Sequence, residues 1–240
     1  MTIEWALGAV IVGVASFVHG LAGFGIGLVS LALLPLLMSP VSAVVLMTIY
    51  ALVFSLGMFV PLRRELQARA LALLVAGTVA GTPFGVWLLA ILPASVLTRM
   101  IGATLIVIVL LEWLGVYPER VAGRRWAVGA GLLAGVAGGA VGTPGPPVVL
   151  YTAAQGWSPR AVKSTLQAFF VVNQGLILVG YWWAGLLTRP VWHATAVFLI
   201  PAALGLLGGV ALFNRVDQAA FRRIVFAVLF ASGVVLLVRG

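Results

Sequence analysis

The chain has 240 residues, of which 63% are hydrophobic and 8% are charged, and it contains no cysteine. About a quarter of the residues in a soluble domain are charged, so this composition indicates an integral membrane protein and excludes an ordinary soluble domain. The formal net charge of +9 does not indicate a nucleic-acid partner, because the basic residues lie in short loops between apolar runs, where they set membrane orientation. No cofactor and no cysteine metal site are expected.

The apolar residues form continuous runs, five in each half of the chain, without the alternation of a transmembrane barrel strand. A helix needs roughly 20 apolar residues to cross a bilayer. The first two runs of each half are shorter than this and the last three are long enough. We therefore predict an all-α membrane protein in which each half is a re-entrant helical hairpin followed by three transmembrane helices. The runs are Trp5–Val18, Phe24–Leu37, Val41–Pro61, Ala68–Leu92, Arg99–Val116, Trp126–Ala140, Pro146–Gln155, Arg160–Ala184, Val191–Phe213 and Ala220–Val238.

The two halves share short motifs in the same order, which predicts two repeats, residues 1–119 and 120–240, within one transmembrane domain. An odd number of crossings in each half requires the second repeat to be inverted relative to the first. If the loop after Pro61 is cytoplasmic, most basic residues lie inside and both termini lie outside. The motif pairs are Trp5-Ala6-x-Gly8-Ala9 with Trp126-Ala127-x-Gly129-Ala130, Gly20-x-x-Gly23 with Gly142-x-x-Gly145, Ser39-Pro40 with Ser158-Pro159, and Gly81-x-x-x-Gly85 with Gly205-x-x-x-Gly209.

Glycines and prolines interrupt the hydrophobic stretch of each hairpin, and backbone exposed at this depth is tolerated only where it is buried in protein or lines a cavity. Helices that begin near Phe24 and near Pro146 would direct free N–H groups and positive dipole ends to the bilayer midplane, where the hairpin tips meet. This predicts an anion site. Its backbone residues are Gly20, Gly23, Phe24, Gly25, Gly145 and Pro146, whereas Gly81, Gly85, Gly205 and Gly209 are expected to serve helix packing.

Polar side chains inside apolar runs are the remaining candidates for substrate binding. Thr143 lies at the second break, and Gln167 and Gln174 share one helix face with Asn173 beside it. Asn173 could instead form an interhelical hydrogen bond. His19, at the first break, is a ligand for the substrate or for a coupling proton, or else a satisfied packing residue.

Acidic residues are rare, and no pair of them lies inside an apolar run. A cation site built on carboxylates, a carboxylate proton relay and acid-base hydrolysis all need such groups. The pattern therefore favours anion transport over cation transport and over an intramembrane hydrolase.

The segment Gly20-Leu-Ala-Gly-Phe-Gly-Ile-Gly-Leu28, followed by Pro35, Ser39-Pro40 and Arg63-Arg64, resembles the first repeat of the sulfite exporter TauE/SafE family. Gly142-Thr-Pro-Gly-Pro-Pro147, followed by Ser158-Pro159 and Ser164-Thr165, is similar to its second repeat. The resemblance covers nearly the whole chain. It implies a bacterial inner-membrane permease that exports small sulfur oxyanions or organosulfonates.

The sequence and the resemblance together predict an alternating-access transporter for sulfite or organosulfonates such as sulfoacetate, with its site between the two hairpins. Membrane lipids, a coupling proton or ion and a second copy in a homodimer are the expected partners. Two other classes stay open at this point. They are a passive anion channel, which would use the same helix dipoles, and a membrane enzyme that acts on lipid phosphates.

Overall fold

The computed structural model describes residues 3–115, 123–212, 215 and 217–239, without the side chains of residues 218, 219 and 222. These residues form ten α-helices and two short 3-10 helices, Leu34–Leu36 and Val60–Glu65, and no strand. The predicted repeat boundary at residues 119 and 120 lies outside the described residues. The helices are α1 (Ile3–Ala22), α2 (Ile26–Leu33), α3 (Pro40–Phe59), α4 (Ala68–Ile91), α5 (Ala94–Trp113), α6 (Arg124–Val141), α7 (Gly145–Ala153), α8 (Pro159–Trp183), α9 (Arg189–Leu212) and α10 (Gln218–Arg239).

Among the described residues, six helices are long and apolar enough to cross a membrane: α1, α3 with its 3-10 extension, α4, α5, α8 and α9. The all-helical membrane architecture and five of the six predicted long runs are thus confirmed. The sixth predicted run falls on α10, part of which lies outside the described side chains. The expectation that the first run is too short is wrong, because α1 has 20 residues and continues past His19 and Gly20.

The helices pack into two compact units that do not follow the order of the chain. The first unit draws on residues 1–47, 92–115 and 187–240, and therefore contains α1, α2, α5, α9 and α10. The second unit draws on residues 48–91 and 116–186, and contains α4, α6, α7 and α8. The unit boundary passes through α3 at Met47. Each unit therefore combines helices from both halves of the sequence.

Close helix packing in the first unit depends on glycine. A Cβ atom at Gly205 would overlap the carbonyl oxygen of Gly13, and one at Gly209 would overlap that of Phe17. From the opposite side, a Cβ at Gly20 would lie 2.5 Å from the carbonyl oxygen of Leu206. These contacts join the backbones of α1 and α9, since small residues let two helix axes approach closely.

The second unit repeats this arrangement between α4 and α6. A Cβ atom at Gly81 would overlap the carbonyl oxygen of Leu132, and one at Gly85 would overlap that of Val136. A Cβ at Gly131 would likewise overlap the backbone of Leu74. The predicted packing role of Gly81, Gly85, Gly205 and Gly209 is therefore confirmed.

The two breaks begin alike and end differently. Both α1 and α6 end at the residue before a left-handed glycine, Gly23 with φ 79° and Gly142 with φ 66°, and the short helices α2 and α7 begin three residues after it. The residue before the short helix is Gly25 with φ 101° in the first break and Pro144 with φ −73° in the second. The geometry thus pairs Gly23 with Gly142, whereas the sequence match paired Gly20 with Gly142. The match was shifted by about one helical turn because Gly20 stays helical in α1, where it packs on α9.

Candidate functional site

The break between α6 and α7 leaves the start of α7 without a side-chain cap. The N–H of Gly142 donates to the carbonyl of Gly138 at 3.0 Å, and the N–H of Thr143 donates to that of Ala137 at 3.3 Å. Both bonds close the end of α6. No side chain accepts from the first turn of α7, so the N–H group of Gly145 faces the break together with the positive end of the helix dipole.

The corresponding break in the first unit has the same property. Gly25 precedes α2 with φ 101°, and no side chain caps the helix. Phe24 is half-buried beside it. His19 is 3% exposed in the last turn of α1, and its carbonyl oxygen accepts a hydrogen bond from the N–H of Gly23 at 2.7 Å. His19, Gly20, Gly23, Phe24 and Gly25 therefore all belong to the first unit.

In the second unit, α8 runs antiparallel to the neighbouring part of α3. Near the start of α8, Ser164 Oγ donates to the carbonyl oxygen of Leu62, just after α3, at 2.8 Å. Near the end of α8, the hydroxyl of Tyr181 is hydrogen-bonded to Thr48, in the first half of α3. The two helices are therefore held at opposite ends.

Because the two helices are antiparallel and held at these contacts, Ser55 and Gln174 lie at about the same height along the two helix axes. Ser55 follows Thr48 by about two helical turns, and Gln174 precedes Tyr181 by about the same distance. Ser55 is 0% exposed and Gln174 is 4% exposed. Neither Ser55 Oγ nor Gln174 Oε1 has a hydrogen-bond partner among the residues that the structure describes.

Asn173 connects this level to α4 and to the break before α7. Its Nδ2 donates a short hydrogen bond to Thr78 Oγ1. A Cβ atom at Gly138 would lie 3.2 Å from Asn173 Oδ1 and 3.0 Å from Pro144 Cβ, so the amide lies close to the break. Asn173 Oδ1 has no hydrogen-bond partner within the protein.

Two more buried hydroxyls lie on the same elements. Thr82 follows Thr78 by one turn on α4, and Thr143 lies in the break itself; each is 4% exposed, and neither hydroxyl has a partner within the protein. We use the name polar cluster for this set of side chains from α3, α4, α8 and the break before α7. The polar cluster consists of Ser55, Thr78, Thr82, Thr143, Asn173 and Gln174.

Within the second unit, the structure brings several of the predicted site residues together. Thr143, Asn173 and Gln174 share the polar cluster with the start of α7 at Gly145 and Pro146, and Gln167 is buried on α8 about two turns before Gln174. Ser55, Thr78 and Thr82 were not predicted, because single hydroxyls inside apolar helices usually bond to their own backbone. A usable signal existed for Ser55, since it follows Ser39-Pro40 by the same number of residues as Gln174 follows Ser158-Pro159.

The apolar spanning helices and the buried polar cluster define a multi-pass membrane protein with a polar interior, which is how membrane transporters are built. The family model of the sulfite exporter TauE/SafE family matches residues 7–236, and the chain belongs to this family. The family is one of membrane transporters for sulfur anions, which implies a small anionic substrate and contact with membrane lipids. No curated protein and no solved structure gives a match.

Proposed function

We propose that the protein transports a small sulfur oxyanion or organosulfonate across the bacterial inner membrane by alternating access, and that the anion binds in the polar cluster. Sulfite and sulfonates such as sulfoacetate are the candidate substrates. The observation that carries this proposal is the set of buried polar atoms without partners on four neighbouring segments of the second unit.

A buried polar group without a hydrogen bond costs about 1–3 kcal/mol, and native proteins rarely keep several of them together. The hydroxyls of Ser55, Thr82 and Thr143 each have a proton to donate, and a sulfonate offers three acceptor oxygens. A ligand of this kind removes the cost of all three groups at once. The polar cluster therefore has the chemistry of an oxyanion site that is incomplete without its ligand.

The amide side chains and the start of α7 add further donors. Rotation of an amide by 180° exchanges its oxygen and nitrogen, so Asn173 can accept from Thr78 and direct its N–H groups to an anion. Gln174 can do the same. The N–H group of Gly145 and the helix dipole of α7 complete a neutral set of donors.

The left-handed glycine that opens each of the two breaks supports the inverted repeat as part of this proposal. Re-entrant hairpins, a proton or other coupling ion, a homodimer and external termini belong to the same proposal. His19 stays a candidate for the coupling proton because of its titration range and its place next to the first break.

Counterflow in proteoliposomes tests the proposed site. We expect saturable exchange of labelled sulfite or methanesulfonate, with flux reduced by roughly tenfold or more in Thr143→Val and in Gln174→Met, since each change removes a hydrogen bond to the anion and keeps the side-chain volume. Thr152→Val is the matched control. Thr152 is 0% exposed in α7, and its hydroxyl already donates to the carbonyl oxygen of Val148 at 2.9 Å.

The same experiment separates the other functional classes. Flux that rises linearly with concentration and shows no counterflow would indicate a passive channel. If only lipid phosphates stabilise the purified protein against thermal unfolding, and no sulfur anion is transported, a membrane enzyme would be favoured. Unchanged counterflow in both Thr143→Val and Gln174→Met would remove the polar cluster from the transport path.

A further inference from the structure

The polar cluster contains hydrogen-bonding groups but no charged side chain. We infer that the site favours singly charged anions over dianions, which narrows the set of candidate substrates: hydrogensulfite or a monosulfonate is bound in preference to sulfite, sulfate or sulfoacetate. This inference rests on the proposed function, because it concerns the charge of the anion that occupies the same site.

Charged residues in the described part of the second unit lie at helix ends and in the 3-10 helix, away from the polar cluster. They are exposed to solvent, apart from Lys163, which is half-buried. Lys163 precedes Asn173 by ten residues on α8, which corresponds to about 15 Å along the helix axis. These residues are Arg63, Arg64, Glu65, Arg69, Arg124, Arg125, Arg160 and Lys163.

The start of α7 supplies only a small positive charge. A helix dipole is equivalent to roughly half an elementary charge at its N-terminus. In α7 the N-cap residue Pro144 and the first-turn residues Pro146 and Pro147 have no N–H group, so Gly145 alone remains as a donor among the four residues at this helix start. The site therefore offers fewer backbone donors than an ordinary helix start.

The charge of the ligand decides how tightly it binds in such a site. The free-energy cost of moving an ion out of water rises with the square of its charge. The attraction between the ion and neutral donors, or the half charge of a helix dipole, rises only in proportion to that charge. A monoanion replaces its water shell with the hydroxyls and amides of the polar cluster. A dianion would need a formal positive charge nearby, and the cluster contains none among its six side chains.

The orphan amide oxygens favour a ligand that also carries a proton. Asn173 Oδ1 and Gln174 Oε1 are acceptors in their present orientation, and both lack a donor. The O–H of hydrogensulfite can donate to either of them while its other oxygens accept from Ser55, Thr82 and Thr143. An anion without a proton, whether a monosulfonate or a dianion, is bound only after both amides rotate and direct their N–H groups to it.

Two ligands of nearly the same shape and different charge test this inference on the unmodified protein. Sulfoacetate is a dianion, and sulfoacetamide has an uncharged amide in place of its carboxylate. We expect sulfoacetamide to bind at least about tenfold more tightly, measured by calorimetry on the detergent-purified protein at neutral pH. Equal affinity, or tighter binding of sulfoacetate, overturns the charge selection and leaves the proposed transport function in place.

A second comparison uses the titration of the ligand itself. The apparent affinity for sulfite is expected to increase as the pH falls and sulfite converts to hydrogensulfite, while the affinity for methanesulfonate, whose charge does not change, stays constant. If the affinities for both ligands change in parallel with pH, a group of the protein and not the ligand is titrating, and the inference is overturned. If no sulfur anion binds at any pH, the inference and the proposed function both fall.

Discussion

Thr143 carries a buried hydroxyl that has no hydrogen-bond partner in the described part of the chain. Replacing it by valine removes a polar group that is costly in the empty site, so we expect Thr143→Val to raise the free energy of unfolding by up to about 1 kcal/mol. The same change is expected to abolish most of the stabilisation that a bound anion gives. Thermal unfolding with and without methanesulfonate measures both effects.

Thr152→Val again provides the control at the residue scale. Its hydroxyl is bonded within α7, so the substitution is expected to lower stability slightly and to leave the ligand-induced shift unchanged. A structural role for Thr143 would produce the opposite result, in which Thr143→Val is the less stable variant and the anion still stabilises it.

Gly129 and Gly131 lie two residues apart on α6 and differ in their surroundings. A Cβ atom at Gly131 would overlap the carbonyl oxygen of Leu74, whereas one at Gly129 would meet no atom within 4 Å. We expect Gly131→Ala to destabilise the protein by about 1–3 kcal/mol through overpacking, and Gly129→Ala to stabilise it by about 0.4–1 kcal/mol. Equal melting temperatures for the two variants would show that α4 and α6 are not in close backbone contact.

Among the elements, the 3-10 helix Val60–Glu65 is tied to the start of α8. Ser164 Oγ donates to the carbonyl of Leu62 at 2.8 Å, and Thr165 Oγ1 accepts from the N–H of Gln67 at 3.1 Å. We expect Ser164→Ala to cost about 1 kcal/mol and to accelerate amide hydrogen exchange across residues 60–67. Ser42→Ala, which removes only an exposed bond to Ser39 Oγ, should leave that exchange unchanged. Faster exchange in both variants would mean that the anchoring is not local.

The positions of most helices were predictable from the sequence, because long apolar runs leave few choices in a bilayer. The end of α1 was not. His19 and Gly20 looked like a break, but both remain helical because Gly20 packs against the backbone of α9. Only tertiary contact decides whether a glycine serves packing or a turn, and in this segment the left-handed turn is at Gly23.

At the scale of the whole molecule, the sequence indicated which residue types would form a site but not how the chain would group them. Thr143, Asn173 and Gln174 were recognisable as polar groups inside apolar runs, and they share one unit. Ser55 and Thr82 come from α3 and α4, which lie in the first half of the chain. Thr82 lies in the same unit because α4 packs on α6, and Ser55 because the 3-10 extension of α3 is tied to α8, and no local pattern encodes either contact between the two sequence halves.

The orientation of the molecule in the membrane can be tested without disturbing its charges, because the chain has no cysteine. Ala68 and Ala184 are exposed at the start of α4 and the end of α8, in loops that the positive-inside rule assigns to opposite sides. We expect a membrane-impermeant maleimide to label Ala184→Cys in intact cells and to label Ala68→Cys only after permeabilisation. The reverse pattern would place both termini in the cytoplasm. Labelling of both variants in intact cells would mean that the polypeptide between the two cysteines crosses the membrane an even number of times, which contradicts three crossings by α4, α5 and α8.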